Sequence, residues 1–355
     1  MSTASPSPGS GPRWTTLPRT APLWVLITTI LLGVWACFPE TPDGTPDTSE
    51  PSPDTAPDSN GAECRTLVEP PVEPGANRIR VATHNVRRLF DTDCDTDSCR
   101  DGFEDQPDRT DYRQRLERLA GALASVDADV LLLQEIETAA VLEDLRGALA
   151  AAGADYSVAS LGEVGRPGSL DVGILSRGER TGDPLRFRDA RTLARPDGST
   201  TRFTREFLGL PLEIDGADLV VFNAHFKSKF DDDPGRRLAE ARAARSIVLE
   251  AASDRPGSLV LLGGDLNDTP SSPPLEALTS NSGLLPSAHR SSAADRWTFC
   301  FDGTREAIDH VLTAPNCGGA YIEASARRWG GDSCPGASGF GGSDHAALSA
   351  DFALD

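Results

Sequence analysis

LVLLGGDLNDTP, residues 259–270, begins as an apolar run fit for a buried strand, passes through two glycines and ends in Asp265 and Asn267. A buried strand that presents an acid and an amide at its end invites a chemical explanation. The same habit recurs outward along the chain. NRIRVATHNV (77–86) alternates apolar and polar residues and stops at His84 and Asn85. ADVLLLQEIE is a continuous apolar run that closes on Gln134 and Glu135, as strands buried on both faces do. LDVGILSR, EAIDHVLTA and DHAALSADFAL read as further strands. TREFLGLPLEIDGADLVVFNAHFKSK reads as a hairpin turning at Asp215-Gly216. Between these lie helical patterns. Leu116, Leu119, Ala120 and Leu123 recur at helical spacing, a second helix is expected over 138–152, and an Ala-, Arg- and Leu-rich one over 234–254. Strands interleaved with helices, together with a hairpin, predict a layered α/β fold with mixed sheets.

The 355 residues carry a net charge of −20, which argues against tight nonspecific nucleic-acid binding through counterion release. It leaves room for a nuclease that holds its substrate briefly and offsets phosphate repulsion with divalent cations. Part of the acidity is local, in a Pro/Thr/Ser/Asp-rich stretch near residues 38–62 and in DTDCDTDSCRDGFEDQPDRTD.

Near the N-terminus, the apolar run LWVLITTILLGVWA is 14 residues long and is followed directly by Cys37. A membrane-spanning helix needs roughly 20 residues, so the run reads as the core of an export signal, with an uncleaved anchor as the other reading. VWAC resembles a bacterial lipobox, which implies a lipid on Cys37 and attachment to the cell envelope or cell surface. The expected organisation is a lipoprotein-type signal at 1–36, a solvated tether at 37–63 and a catalytic domain at 64–355. With Cys37 lipidated, Cys64, Cys94, Cys99, Cys300, Cys317 and Cys334 remain, an even set that reads as three disulfides in an exported protein. Cys94 with Cys99 is the preferred local pair. No CxxC pair supports a thiolate metal site.

Asn85, Glu135, His225, Asp265, Asn267, Asp309, Asp344 and His345 all stand where an apolar run stops. Strand ends on one edge of a sheet form a shared rim, where open α/β sheets place their sites. Singly, each has a bland reading: an Asn or Asp after a strand forms a turn or caps a helix, and a lone His is hydrogen-bonded structure. The joint occurrence of HN, QE, NAHFKS, GGDLND, IDHV and GSDHAA, in that order, is far more specific.

That ordered set resembles the endonuclease/exonuclease/phosphatase superfamily, the DNase I-like fold, over residues 78–353, and NVRRLFD and NAHFKSK are similar to its bacterial secreted-nuclease branch. The resemblance implies a four-layer α/β sandwich, two packed mixed β-sheets flanked by helices. It also implies hydrolysis of a phosphoester with Mg²⁺ or Mn²⁺. Glu135 would be the first metal ligand, with Asn85 beside it through its carbonyl oxygen, since hard cations prefer oxygen. Asp265 would activate the attacking water, and Asn267, taken to share its strand face, would donate to a phosphoryl oxygen. His345, oriented by Asp309, and His225 would be further donors, and the two glycines would let substrate approach closely. Asp344 is a metal ligand or holds its loop, while Lys227 and Asp171 are candidate substrate contacts. Where relatives carry an acid two residues after the first Asn this chain has Arg87, which favours a single metal. His84, His289 and His310 are expected to be structural.

The loop DTDCDTDSC repeats Asp at alternate positions, as calcium loops do, but lacks the glycine and the terminal Glu of an EF-hand; a solvated, disulfide-held loop is the default and structural Ca²⁺ the alternative. The leading expectation is an extracytoplasmic nuclease acting on DNA or RNA, with no obligate protein partner evident. A phosphomonoesterase or a sphingomyelinase-type phospholipase would use nearly the same residues, and a non-catalytic surface binding module is the third reading. A sphingomyelinase should show a protruding apolar or aromatic hairpin, and none is obvious in the sequence. Arginines of RFRDARTLARPDGSTTRFTR would supply a basic rim for nucleic acid.

Overall fold

Period-2 alternation along the apolar runs sorts side chains onto two faces, and each face is buried against a different layer. In the strand Leu259–Asp265, Leu259 and Leu261 enter a central core, whereas Val260 and Leu262 pack beneath a helix. In the strand Val130–Ile136, Val130 and Leu132 share that central core while Leu131 and Leu133 face other helices. Burial on both faces explains why these strands read as continuous apolar runs.

The computed structural model describes residues 55–57, 63–69, 78–99, 102–287, 296–332, 334 and 339–354. The segment expected to be an export signal, Cys37, most of the expected tether and His289 lie outside them. Ser52–Asp355 forms one compact unit. Its main strands are β1 (Arg78–Leu89), β2 (Val130–Ile136), β3 (Val158–Gly162), β4 (Asp171–Ser176), β5 (Leu208–Ile214), β6 (Ala217–His225), β7 (Leu259–Asp265), β8 (Asp309–Thr313), β9 (Gly319–Ile322) and β10 (Ala347–Leu354). Its helices are α1 (Arg109–Val126), α2 (Ala139–Ala151), α3 (Pro234–Asp254) and α4 (Pro273–Thr279).

One eight-stranded sheet runs β9-β10-β1-β2-β4-β3, extended by Leu67–Val68 beside β9 and by Arg327–Trp329 beside β10. The other, seven-stranded, runs β8-β7-β6-β5, extended by three short strands. Both are mixed: β1 with β2 and β6 with β7 are parallel, and most other pairs are antiparallel. The inner faces meet in the central core, α1 and α2 cover the outside of the first sheet, and α3 and α4 cover the outside of the second. This is the expected four-layer α/β sandwich.

Local chemistry fixes the ends of the elements. Asp108 caps α1 by accepting from the amides of Thr110 and Asp111, and Asp127 closes that helix in the left-handed region at φ 52°. Asp233 caps α3, whose first residue is Pro234. Asp215 and Gly216, at φ 52° and 83°, make the tight turn between β5 and β6. Disulfides join Cys94 to Cys99, as preferred from the sequence, and Cys64 to Cys317 and Cys300 to Cys334. Thr55–Pro57 pairs with Glu63–Arg65, so part of the segment expected to be an extended tether folds back beside Cys64. Among the described residues, no helix is long and apolar enough to cross a membrane.

Candidate active site

Strand register assembles one half of the site. Parallel pairing sets His225 opposite Asp265, and antiparallel pairing sets Asp265 opposite Asp309, so three polar residues stand in a row at the ends of β6, β7 and β8. The facing sheet supplies the other half. Asn85 pairs with Gln134, and the β1–β2 and β2–β4 ladders both shift around Glu135, which sits at φ 68°. A left-handed non-glycine residue costs on the order of 1–3 kcal/mol, and here the bulge turns a carboxylate out of the sheet toward the site.

Asn85 joins the halves: its Nδ2 donates to Glu135 Oε1 at 3.1 Å and to Asp265 Oδ2 at 3.0 Å. One row deeper, Gln134 Nε2 donates to Asn223 Oδ1 at 2.7 Å, and Asn223 Nδ2 donates to the carbonyls of Leu133 and Gly173 at 2.8 Å. This fully buried amide pair fixes the position of one sheet over the other directly beneath the carboxylates. Gln134, the first letter of the QE motif, is thus a positioning residue.

Charges are set by burial and by each other. Burial, followed by the nearby Asp309 charge, pushes the Asp265 carboxyl above the usual range, while His345 and the hydrogen bond from Asn85 work against the rise. Burial alone would lower the pKa of His345, but Asp309, whose Oδ2 accepts from Nδ1 at 2.8 Å, together with Asp265 and Asp344, lifts it to about 10. His345 is therefore an imidazolium at neutral pH, with Nε2 3.9 Å from Asp265 Oδ2 and its ring against Phe299. His225 Nε2 lies 3.6 Å from Asp265 Oδ2; burial, then Arg205 and His345, push its pKa well below 6.5 and keep it neutral.

Several expectations need correction. Asn267 is not on the strand face of Asp265: β7 ends at Asp265, and Asn267 occupies a left-handed turn at φ 54°, its backbone N–H donating to Asp265 Oδ1 and its Nδ2 to the Phe226 carbonyl. Asn85 turns its amide nitrogen to Glu135, while its carbonyl oxygen accepts from the Arg87 N–H. Asp344 points to Arg87, 3.6 Å away, so the cation that replaces an acid also engages the neighbouring acid. Lys227 Nζ donates to the carbonyls of Ser228 and Phe230 and so holds its own loop. The glycines serve packing between protein groups: a Cβ on Gly264, at φ 140°, would lie 2.0 Å from the Ala224 carbonyl oxygen, and one on Gly263 would lie 2.5 Å from Leu132. His84 and His310 are buried, as structural residues would be.

Asp171 is buried at the start of β4, opposite Ile136, and accepts from Ser169 Oγ and the Val164 amide; burial raises it to about 6. It lines a cleft of about 300 Å³ together with Arg205, Arg166 and Phe103. Arg205 is the residue missed as an individual. Its guanidinium feels the charges of Glu135 and Asp265 and donates to the Phe226 carbonyl, and it therefore links this cleft to the carboxylates. Its only sequence signal was a cation just ahead of an apolar run. The buried Glu240 of α3 holds this region by accepting from the amides of Thr204 and Lys227. Three large exposed apolar side chains, Phe103, Phe230 and Phe301, were also missed. Phe301 stands on a hairpin of Phe299–Phe301 and Thr304–Glu306, and the Lys229–Glu306 ion pair ties that hairpin to the loop of Phe230.

The donor atoms at this rim suit a hard divalent cation. Glu135, Asp265 and Asp309 supply carboxylate oxygens, and Asp309 Oδ1 is buried with no hydrogen-bond partner. Asp265, Asp309 and His345 offer ligand-type atoms within 4.8 Å of one another. His345 Nδ1 is taken up by Asp309, and the carboxylates supply the oxygen donors that such a cation prefers.

Comparison with known proteins bears on the family and the fold. The profile of the Endonuclease/Exonuclease/phosphatase family matches residues 82–345. Among solved structures, TDP2 from Caenorhabditis elegans is 18% identical over 78% of this chain and 75% of its own, with a TM-score of 0.54. TDP2 of D. rerio, complexed with single strand DNA product, is 16% identical over 78% of this chain and 98% of its own, at 0.55. The endonuclease/exonuclease/phosphatase from Bacteroides vulgatus is 18% identical over 79% of this chain and 100% of its own, at 0.54. At these identities the likeness is one of fold. Among curated proteins, none matches the chain by sequence.

Proposed function

This chain belongs to the endonuclease/exonuclease/phosphatase family, a superfamily of metal-dependent phosphoesterases, and from that premise we propose that it is an extracytoplasmic phosphodiesterase that cleaves nucleic acid. The observation that carries the reading is the convergence, at one rim, of Glu135, Asn85 and the His345 imidazolium just ahead of β10, all from one sheet, with Asp265 and Asp309 from the other.

Glu135 and Asp265 would hold the cation, Mg²⁺ or Mn²⁺, while Asn85 donates to both carboxylates and keeps them in place. When bound, the cation supplies charge stabilisation to a phosphoryl oxygen. Asp265 orients the attacking water and accepts its proton, a task suited to a carboxylate whose basicity burial has raised. The His345 imidazolium donates from Nε2 to the phosphoryl oxygens while Asp309 holds Nδ1. Neutral His225 donates beside it, and Asn267 fixes the loop and offers its remaining amide hydrogen. Engagement of Asp344 with Arg87 supports a single cation. Arg205 and Asp171 contact the substrate from the adjoining cleft. Lipidation at Cys37 would keep the domain at the cell envelope.

Nucleic acid is favoured by the cleft, where Arg205 and Arg166 stand with Phe103, since cations with aromatic faces suit phosphates and bases. A phospholipid substrate gains support from exposed Phe301 and Phe230 on linked loops, the protruding aromatic surface that was not evident in the sequence. Purified protein incubated with plasmid DNA, RNA, sphingomyelin and a generic phosphate monoester, with Mg²⁺ or with EDTA, separates these readings. Fastest turnover on DNA or RNA, abolished by EDTA, is expected. Faster turnover of sphingomyelin or of the monoester would overturn the nuclease assignment, and no turnover of any would leave a binding module.

A further inference from the structure

We propose that Arg87, Arg115 and Arg118 form a phosphate subsite beside the catalytic carboxylates, one that holds a phosphate of the nucleic-acid strand other than the phosphate under attack. The inference rests on the nuclease reading and adds to it the path of the strand. The arginines expected to line a basic rim are taken up by acids. Arg188 and Arg202 pair with Asp189 at 3.0 and 3.2 Å, Arg191 with Glu250 at 2.7 Å and Arg195 with Asp233 at 2.7 Å. A surplus of cations stands instead where β1, α1 and the loop ahead of β10 meet.

Arg115 and Arg118 are neighbours at i and i+3 on α1. Arg115 reaches back to the end of β1, where its Nη2 donates to the Val86 carbonyl at 3.3 Å and to that of Arg87. Arg87 and Arg88 are consecutive left-handed residues, at φ 59° and 49°. This bulge brings the Arg87 N–H to Asn85 Oδ1 at 2.9 Å and the Arg88 N–H to Glu135 Oε2 at 2.7 Å, so the cluster begins directly at the metal-binding edge of the site. On its other side Arg118 lies against Gly342, where a Cβ would stand 3.0 Å from the arginine Nε. The next residue, Ser343, donates from Oγ to the Asn85 carbonyl at 2.7 Å and accepts from the His345 N–H at 3.0 Å. The three arginines are thus anchored to the same backbone that carries Asn85, Glu135 and His345.

Charge balance singles the cluster out. Burial, followed by the charges of Arg87 and Arg118, lowers the pKa of Arg115, while Asp105 and Glu135 act on it the other way without forming an ion pair. Asp344, 3.6 Å from Arg87, is the one acid in ion-pair contact with the three; among the described residues, Arg115 and Arg118 pair with no carboxylate. In a chain of net charge −20 this is a local excess of positive charge beside a site for phosphate chemistry, and an anion relieves the repulsion within it. The planar guanidinium fork matches phosphate oxygens in pairs. A phosphomonoester has no second phosphate to place here, and the head group of sphingomyelin carries a cation that the cluster repels.

The test compares variants of the full-length protein on a single-stranded oligonucleotide and on bis(p-nitrophenyl) phosphate, a diester with a single phosphate. Arg118 is exposed, so its replacement leaves the core intact. Arg118→Ala should lose at least about tenfold in kcat/KM on the oligonucleotide relative to the small diester, as expected for one charged hydrogen-bonding contact. Arg118→Lys should recover part of that loss, because the charge remains and the fork does not. Arg113→Ala, on the same helix but paired with Glu117, should leave the ratio unchanged. Binding of a fluorescein-labelled oligonucleotide to Asp265→Asn protein with Mg²⁺, followed by anisotropy against salt, reads the contact without cleavage. Adding Arg118→Ala should make the slope of log affinity against log salt shallower by about 0.7, the share of one phosphate on a single strand. No binding of the oligonucleotide, an unchanged slope, equal losses on both substrates, or a like loss in Arg113→Ala would each overturn the subsite. The nuclease reading fails separately: turnover of the small diester with none of DNA or RNA would end it, and the anisotropy slope would then decide the subsite alone.

Discussion

Asp309→Asn isolates the charge that holds His345 protonated. In the wild type, Nδ1 donates to Asp309 Oδ2 at 2.8 Å in a site where both residues are about 95% buried or more, and the pKa stands at about 10 in place of 6.5. At 1.36 kcal/mol per pH unit that interval corresponds to up to about 5 kcal/mol, of which Asp309 is the largest favourable source. A folded-state pKa above the unfolded value means that this stabilisation is fully present below about pH 6.5 and fades as the pH rises through about 10. Asparagine keeps a hydrogen-bond acceptor but not the charge, so burial prevails and the imidazole becomes neutral. The variant should therefore lose several kcal/mol relative to wild type at pH 6, and the difference should shrink above pH 10. Its turnover at pH 8 should drop by about 10²–10⁴-fold, the usual contribution of a positioned proton donor.

Histidine ring proton resonances followed by NMR against pH provide the assay, and five histidines make the spectra tractable. Burial, as the largest cause, lowers His84 to about 4 and moves His225 and His310 below 6.5, so of the four described histidines only His345 should carry its proton at pH 8. Titration of His345 below pH 7 in the wild type, or an unchanged His345 titration in Asp309→Asn, would refute the reasoning.

Other outcomes follow from the same geometry. Glu135→Gln should raise the Mg²⁺ concentration needed for half-maximal hydrolysis by at least about tenfold, with a circular dichroism spectrum like that of the wild type, because it removes a ligand charge and not packing. Gly264→Ala should be destabilised by more than about 3 kcal/mol in urea titration, since φ 140° and a Cβ 2.0 Å from the Ala224 oxygen allow no cheap relaxation. Arg205→Ala should raise KM for nucleic acid in steady-state assays more than it lowers kcat, as expected of a side chain that spans from the cleft to the carboxylates.

The layered fold was legible because apolar runs and helical periodicities survive in single segments: each of β1, β2, β6, β7 and β10 is a run that could be read alone. The rim was legible for the same reason, since Asn85, His225, Asp265 and Asp309 occupy strand ends or the last residues before a bulge. What escaped depends on the chain meeting itself. The turn that carries Asn267 off the strand face, and the bulge that lets Glu135 leave its sheet, are backbone choices with no periodic signature. Packing roles of Gly263 and Gly264 are visible only once Leu132 and Ala224 lie against them. Arg205 looked like any loop arginine until β5 set it beside the carboxylates, and Gln134 looked like part of a motif until Asn223 appeared across the interface.

The claim that two sheets act on one phosphoryl group is tested most directly by the hydrolysis rates of Glu135→Gln, Asp265→Asn and the double variant on one activated phosphodiester. Groups that work as a unit lose little more together than singly, so the double variant should match the slower single one to within about tenfold. Fold-losses that multiply would mean that Glu135 and Asp265 serve separate sites, and the account would fail.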